Sequence, residues 1–594
     1  MVMHAIAVGA LAGVLGVFLV WALEHAQLFA LERLCGYVPL RAAGDRGLGP
    51  VTTPFRPWLL WILPAVGALL GGIASFLLAP ETAGGGGDAM IEAFHRHGGV
   101  LRRRVGPVKA LASILTLGAG GSGGREGPTM QIGAAAGSFV GGLVKVDARE
   151  QRILLVAGCA AGMAAVFRTP FGAALLAVEI LYRDDFESDA LIPALLASVV
   201  SYSVFVSAYG ESTLFAHAPR YPFVPQHLPL YGALALLVSL VAASFLGTLR
   251  WVQRQTATMR LPAWARPAVG GLGVGVLATS FIVLIGPRVG APGQGFGILG
   301  GGYGAAQVAI TGDSWLPAGW RAVELLVLLG AIKILVTSLT VGTGGSAGDF
   351  GPSLVIGGLF GGAFGRAMQL VFHDPRIDPG AFALVGMGTF YGGLANVPVS
   401  SLVLVCELAG SYDLLVPLML AEAIAFVALR NHSLYTAQVP TKRDSPAHAH
   451  ELVSDVLDDK LVGQFIVRDR AYVSFTPESS VNELLAAIAK NSWQDVFPVV
   501  DLAGAMVGIV DAEIVRTLAT EDHLRGVAIA SDVMKPPIAV TPEQDLHEAL
   551  EVMLTHGVRE LPVVDGTGQI LGFIDEAEVT RVYLDATASA APRA

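Results

Sequence analysis

The chain has 594 residues, of which 53% are apolar and only 14% charged, against about 25% charged in ordinary soluble domains. Its net charge is −10, from 38 basic and 48 acidic residues, which argues against nucleic acid as a partner. Mean hydropathy is +0.61 although the stretch after Asp444 reads as soluble protein, so the earlier region is a membrane domain and at least two domains are present.

Two long apolar segments open the chain, Met3–Leu31 and Trp58–Leu78. At about 1.5 Å per residue, each can cross about 30 Å of hydrocarbon. The first lacks a basic leader and runs on through Ala26–Leu31, so it reads as a membrane helix and not as a cleaved signal. Ala83–Asp88 breaks the pattern with consecutive glycines, and Met90–Phe94 resumes it as a helix. Arg102, Arg103, Arg104 and Lys109 beside the next span favour a cytoplasmic position there. Val108–Leu117, Thr129–Val140, Arg152–Val166 and Phe171–Leu181 then read as too short to span, each interrupted by Gly or Pro. Residues 189–208, 229–249 and 268–286 are full-length spans. Leu325–Val341, Leu354–Val371, Ala381–Ala395 and Ser401–Leu408 repeat the broken pattern, and Leu414–Leu429 closes the membrane domain. Broken segments in matching places of two halves point to a binding site at mid-membrane, because bare backbone survives there only inside protein or beside an aqueous cavity.

The break itself is a repeat. Gly121-Ser122-Gly123-Gly124-Arg125-Glu126-Gly127-Pro128 through Gly133 has the spacing of Gly345-Ser346-Ala347-Gly348-Asp349-Phe350-Gly351-Pro352 through Gly357, at an offset of 224. Pro170 precedes Glu179 by nine residues, as Pro398 precedes Glu407. Gly lets backbone approach a ligand closely, and Pro is at home in a first helical turn. Together they leave free amides at the positive end of a helix dipole, which is an anion site without a lysine. In repeats of opposite topology both N-termini would face one spot, binding a small anion weakly enough to release it. Glu126 lies in that loop. An acid in a first turn ordinarily just offsets the dipole, but an ionisable group at membrane depth is functional by default. Its carboxylate is an anion that competes with the transported one.

Gly118, Gly120 and Gly123 also fit the dinucleotide fingerprint, without the βαβ context it needs. Cys35, Cys159 and Cys406 form neither a disulfide framework nor a metal spacing. His448 and His450 in the linker read as solvated, so no metal is expected.

The domain boundaries read as a membrane domain over residues 1–440, a linker over 441–462 and a soluble α/β pair over 463–594, in copies of about 463–525 and 526–585. Thr476-Pro477-Glu478 matches Thr541-Pro542-Glu543, Phe497–Asp501 matches Leu561–Asp565, and Gly508–Asp511 matches Gly572–Asp575. Each copy reads as strand, helix, strand, strand, helix.

These residues resemble the CLC family of chloride channels and chloride/proton antiporters, over nearly the whole chain. Gly124-Arg125-Glu126-Gly127-Pro128 matches its G-[KR]-E-G-P motif, Gly348–Pro352 its G-x-F-x-P motif, and Tyr435 its ion-coordinating tyrosine. The tail resembles the paired CBS domains of many members. The resemblance implies a polytopic all-α membrane domain of two inverted repeats with broken helices, followed by the CBS pair. It implies a homodimer in the plasma (inner) membrane, with the CBS pair cytoplasmic. Chloride and similar small anions are the implied cargo and no cofactor is required. Glu126 is the implied gate. Gly86, Gly124, Arg125, Gly127, Asp349, Phe350 and Tyr435 are the implied anion-binding positions.

Three departures bear on mechanism. The family's G-S-G-x-P motif falls on Gly85–Ala89, so its serine is Gly86 here. Asp349 puts an acid beside the anion. Antiporters of the family typically carry a second acid after the helix glutamate to relay protons inward, and Ile180 takes that place. The expectation is therefore a glutamate-gated chloride channel, with a chloride/proton antiporter as the alternative. Glu179 and Glu407, by their shared placement, are expected to accept backbone amides at helix ends. In the CBS pair the ribose-motif threonines are Asp511 and Asp575, and the terminal acid is Ile514 in one copy and Glu578 in the other. An adenine nucleotide thus has one contact at most, Glu578. A membrane enzyme would need a nucleophile–base or metal constellation, and His4, His25 and His95 are scattered. A sensor with a plain anchor would not need repeated, broken segments.

Overall fold

A computed structural model describes residues 1–45, 51–215, 221–289, 293–448, 457, 460–468, 470–491, 493–511, 514 and 528–590, without the side chains of 585–590. The chain forms two compact units, Met1–Ala447 and His448–Ala594.

The first unit is helical. Its order is α1 (Val2–Gln27), α2 (Pro57–Leu78), α3 (Gly87–Arg96), α4 (Val105–Gly118), α5 (Glu126–Val144), α6 (Ala148–Phe167), α7 (Pro170–Glu179) and α8 (Ser188–Tyr209). It continues with α9 (Leu228–Thr258), α10 (Arg266–Ile285), α11 (Tyr303–Thr311), α12 (Trp320–Gly342), α13 (Phe350–Phe372), α14 (Pro379–Ala395), α15 (Pro398–Ala409) and α16 (Leu415–Leu429). Among the described residues, eight helices are long and apolar enough to cross a membrane.

Three of the segments expected to fall short do not. The α6 helix has 20 residues, and α12 and α13 have 23 each, so these are long enough to span. Their glycines pack helices together instead of breaking them. A Cβ on Gly133 of α5 would fall on the Gly158 carbonyl of α6, and one on Gly357 of α13 on the Gly386 carbonyl of α14. The nine-residue α11 is an addition to the expected elements, because the glycine run before it hides its start.

The halves also end their helices alike. The α5 and α13 helices stop at left-handed Lys145 (φ 59°) and His373 (φ 52°), and α6 and α14 at Arg168 (φ 60°) and Asn396 (φ 57°). Non-glycine residues adopt that region only where surrounding packing fixes them.

The second unit holds two antiparallel strand pairs, β1 (Val496–Val500) with β2 (Met506–Asp511) and β3 (Glu560–Val564) with β4 (Ile570–Asp575). Their registers are copies: Val496 pairs Asp511 as Glu560 pairs Asp575, with the same irregularity before Val500 and Val564. The strand expected to open each copy is reduced to single bridges, Phe475 to Val499 and Val540 to Val563. Helices Val481–Ile488 and Leu546–His556 are capped by Ser480 and Asp545, and each buries an apolar stripe on its strand pair. The closing helix of the first copy lies outside the described residues, Ile514 excepted.

Candidate functional site

The two repeated loops pair directly. Gly124 N–H donates to Gly348 O (2.7 Å) and Gly348 N–H to Gly124 O (2.8 Å), as an antiparallel bridge. Immediately after it, α5 starts at Glu126 and α13 at Phe350, so two helix N-termini, whose first-turn amides lack intrahelical partners by geometry, face one small volume. A Cβ on Gly127 would fall on the Gly85 carbonyl, which brings the loop before α3 to the same place.

Matched pairs of polar side chains tie the loops down. Ser113 and Ser346 hydroxyls meet at 3.0 Å, and Ser122 and Thr337 hydroxyls at 3.1 Å. Lys109 Nζ donates to the carbonyls of Thr82 (3.0 Å) and Gly84 (2.7 Å). Lys333 Nζ donates to those of Ile298 (3.1 Å) and Gly300 (2.6 Å) and to Ser122 Oγ (3.0 Å). Lys109 is wholly buried, which corrects its reading as a basic flank of a membrane span. The signal for the pair is in the sequence all the same, since each lysine stands in an apolar helix at the common offset of 224.

Glu126 folds back into this centre and is 1% exposed. Its Oε1 accepts a hydrogen bond from the Tyr303 hydroxyl. Oε2 lies against Gly124 and Gly351 with no hydrogen-bond partner among the described residues. Arg125 bridges outward, donating to Asp45 Oδ1 at 3.1 Å with its Nε 4.0 Å from Glu126 Oε1 and its guanidinium 5.8 Å from the Tyr303 ring centre. A cavity of about 130 Å³ opens over these groups, lined among others by Glu24, Glu32, Asp45, Arg125 and Tyr303.

On the other side of the pairing, Phe350 is buried and edge-on to Phe167 (4.8 Å) and Tyr391 (4.2 Å). The Tyr435 hydroxyl is 3.3 Å from that of Tyr391, and its ring lies where a side chain on Gly87 would be. The Asp349 carboxylate faces Gly85. Gly86 caps α3 in the left-handed conformation (φ 95°), its Cα facing Gln131 and the Gly127 carbonyl. The structure thus brings Gly86, Gly124, Glu126, Gly127, Asp349, Phe350 and Tyr435 together, with Arg125 at the edge.

Ile180 follows α7, fully buried, and its carbonyl accepts from Gln438 Nε2 (2.9 Å). Its neighbour Glu179 accepts the amides of Val399 (3.1 Å) and Ser400 (2.7 Å) at the start of α15. Glu407 accepts those of Phe171 (3.2 Å) and Gly172 (2.7 Å) at the start of α7. The two helices therefore lie antiparallel, each capped by the other's acid. The fold adds a further buried acid that no motif marks: Glu422 on α16 accepts from the Ser401 hydroxyl, and its Oε2 has no hydrogen-bond partner among the described residues.

In the second unit, Asp511 and Asp575 accept the amides of Ile514 (3.0 Å) and Glu578 (2.9 Å). The aspartates at the threonine positions thus act as helix caps. Glu578 Oε2 is buried without a hydrogen-bond partner among the described residues, and the hydrogen-bonded Asp575 carboxyl beside it, with burial second, holds Glu578 above the usual carboxylate range. No cluster of three or more metal-ligating side chains occurs among the described residues.

Residues 57–430 match the family described as voltage gated chloride channel, and residues 530–585 match the CBS domain. The chain is 28% identical to a putative chloride channel protein ClcB-like of Ralstonia nicotianae, over 68% of this chain and 90% of that one. It is 30% identical to the H(+)/Cl(−) exchange transporter ClcA of Salmonella arizonae, over 61% and 74%. Among solved structures it resembles a slow cyanobacterial Cl−/H+ antiporter at 23% identity and a TM-score of 0.60, over 72% of this chain and 94% of that one. The chain belongs to the voltage-gated chloride channel (CLC) family, whose members are transporters and not enzymes, and it carries a CBS domain. It is a multi-pass membrane protein for CLC-type anion transport.

Proposed function

We propose that this chain exchanges chloride for protons across the membrane, with Glu126 as the group for which both ions contend. The observation that carries the reading is the Glu126 carboxylate lying where the α5 and α13 N-termini converge, with one oxygen unpartnered among the described residues. That carboxylate occupies the place of an anion. Protonation neutralises it and frees the site, so each anion that enters is linked to a proton at the same atom. Gly86, Gly124, Gly127, Asp349 and Phe350 would line the anion's path with backbone, Tyr435 with its hydroxyl, and Arg125 would set the field at its mouth. Matching relatives named as exchangers favour exchange over the passive conduction expected from the sequence.

A channel remains the second reading, and one observation favours it. Ile180 carries no proton, and Glu179 beside it is committed to two backbone amides. Purified protein in liposomes separates the two. Under an imposed chloride gradient, exchange drives protons uphill and Glu126→Ala abolishes that movement. A channel gives a reversal potential that follows chloride alone.

We place the CBS pair, which follows the linker over residues 441–462, in the cytoplasm of a plasma-membrane protein. Two copies would form a homodimer with one anion path each. An adenine nucleotide would contact Glu578 in the second CBS copy. Calorimetry on the full chain tests that contact, since Glu578→Ala should abolish any binding and Ile514→Ala should not.

A further inference from the structure

The side chain that touches Glu126 most directly comes from neither of the two motifs. Tyr303 is the first residue of α11, behind the left-handed cap Gly302 (φ 88°). Its loop is pinned by Lys333 Nζ on the carbonyls of Ile298 (3.1 Å) and Gly300 (2.6 Å). Its ring is held between the Arg125 guanidinium (5.8 Å) and an edge-on contact with Phe215 (6.3 Å). Little freedom is left for the phenol. Its oxygen sits in the first turn of α13, so close to Gly351 that a Cβ there would overlap it, and it donates to Glu126 Oε1. Since Glu126 Oε2 has no hydrogen-bond partner among the described residues, this bond, beside the Arg125 Nε 4.0 Å from Oε1, holds the closed carboxylate.

We propose that the Tyr303 hydroxyl is both the latch of the gate and a ligand of the anion, bonding the Glu126 carboxylate when it is in place and the chloride that replaces it. The proposal rests on the gate reading of Glu126. A neutral hydroxyl donor suits this double use: it binds either anion by one charge-assisted bond, and a fixed cation would hold both too long. The residue also lines the 130 Å³ mouth cavity, so an arriving anion meets the hydroxyl before the buried amides. The two halves trade places here. Gly86 and Gly302 are equivalent left-handed caps, and the residue after each is Gly87 in one half and Tyr303 in the other. The hydroxyl that Gly86 cannot offer in the first half is thus supplied from the second.

Two measurements on the full chain in liposomes and in detergent test this. Tyr303→Phe removes only the donor, so the negative carboxylate loses its bond while the protonated one loses little. The pH of half-maximal chloride flux should therefore rise by about one unit, a tenfold change in proton concentration. In a Glu126→Gln background, where the gate is neutral, Tyr303→Phe should weaken chloride binding about tenfold by calorimetry. An unchanged midpoint or an unchanged affinity overturns the proposal. Glu126→Gln alone serves as the control: if it keeps wild-type pH dependence, the gate reading fails, independently of Tyr303. Should Tyr303→Phe not fold, fluorotyrosine at position 303, a stronger donor of nearly the same shape, must lower the midpoint. An unmoved midpoint then overturns the latch.

Discussion

The two halves of the membrane unit share a backbone plan and differ in chemistry at one point. Both open a long helix after a glycine loop, both bury a lysine on loop carbonyls, and both close a short helix with an acid that caps its counterpart. At the crossing, however, the first half places Arg125 and Glu126 where the second places Asp349 and Phe350. A feature present in both halves needs no functional explanation, because one packing problem solved twice accounts for it. A feature present in one half does. By that standard the proposed functional roles fall to Glu126 and Tyr303, while the contacts of Lys109, Lys333, Glu179 and Glu407 are those of the fold.

The largest effect that would break this division is at Glu126. Glu126→Gln should leave anion flux that changes less than about twofold between about pH 4.5 and 7.5, because the competing charge is gone at every pH. Phe350→Ala, its counterpart, should slow or weaken transport yet keep the wild-type pH profile. Radiolabelled chloride uptake over a pH series measures both. Equal loss of pH dependence in the two variants would erase the asymmetry.

The buried lysines come next. Lys333→Met leaves the Ile298 carbonyl without a donor, since Gly300 keeps the Gly123 amide and Ser122 keeps Thr337, and Lys109→Met leaves that of Gly84, since Thr82 keeps the Ser346 hydroxyl. At about 1–3 kcal/mol for an unmet buried group, either variant should cost about 1–3 kcal/mol, and the two should lower the thermal midpoint in detergent alike. A strong effect of one with none of the other would give that lysine a role beyond clamping its loop.

Glu179 and Glu407 should behave as twins. Either one changed to Gln keeps one acceptor oxygen and loses the charge that faces a helix N-terminus, at about 1–2 kcal/mol each. Proton-to-chloride stoichiometry should stay the same in both variants. If Glu179→Gln alone uncouples the ions, Glu179 carries protons in addition to capping α15, and Ile180 is no obstacle to exchange.

Much of this plan is legible in the sequence, because a doubled motif compares itself. The offset of 224 locates the crossing, and the Pro-to-Glu spacing of nine, present twice, foretells acids on backbone amides. Tyr303 is not legible. It lies outside the doubled motif, its helix has nine residues, and its hydroxyl reaches Glu126 across 177 positions of chain. Lys109 misleads for a related reason: beside Arg102–Arg104 a lysine looks like a flank, and only the fold turns it inward. The signal is its twin, Lys333, in the apolar stretch Leu325–Val341.

The same comparison, applied to the second unit, gives the smallest effect. β1–β2 and β3–β4 share one register, yet the position held by Val496 in the first pair is Glu560 in the second. Glu560 is 3% exposed, and its Oε1 accepts the amides of Asp495 (2.6 Å) and of its own counterpart Val496 (2.8 Å). Burial pushes its carboxyl up to about 7 despite those two donors, and Asp495 and Asp575 nearby add to the rise. A carboxyl that holds its proton to higher pH when folded than when unfolded makes stability fall as pH rises, here between about 4.5 and 7. The full stabilisation is present below the unfolded value and is lost as pH passes the folded one. From about pH 5.5 to 7.5 the loss should be about 1–2 kcal/mol. Hydrogen exchange of the amides of residues 496–500 and 560–564 should therefore quicken beyond its intrinsic pH dependence over that range. Glu560→Gln should remove the excess, since an amide neither titrates nor gives up the acceptor oxygen for Asp495 and Val496. Protection that follows intrinsic exchange alone in the wild type would mean that Glu560 stays ionised throughout, and that its counterpart's amide outweighs its burial.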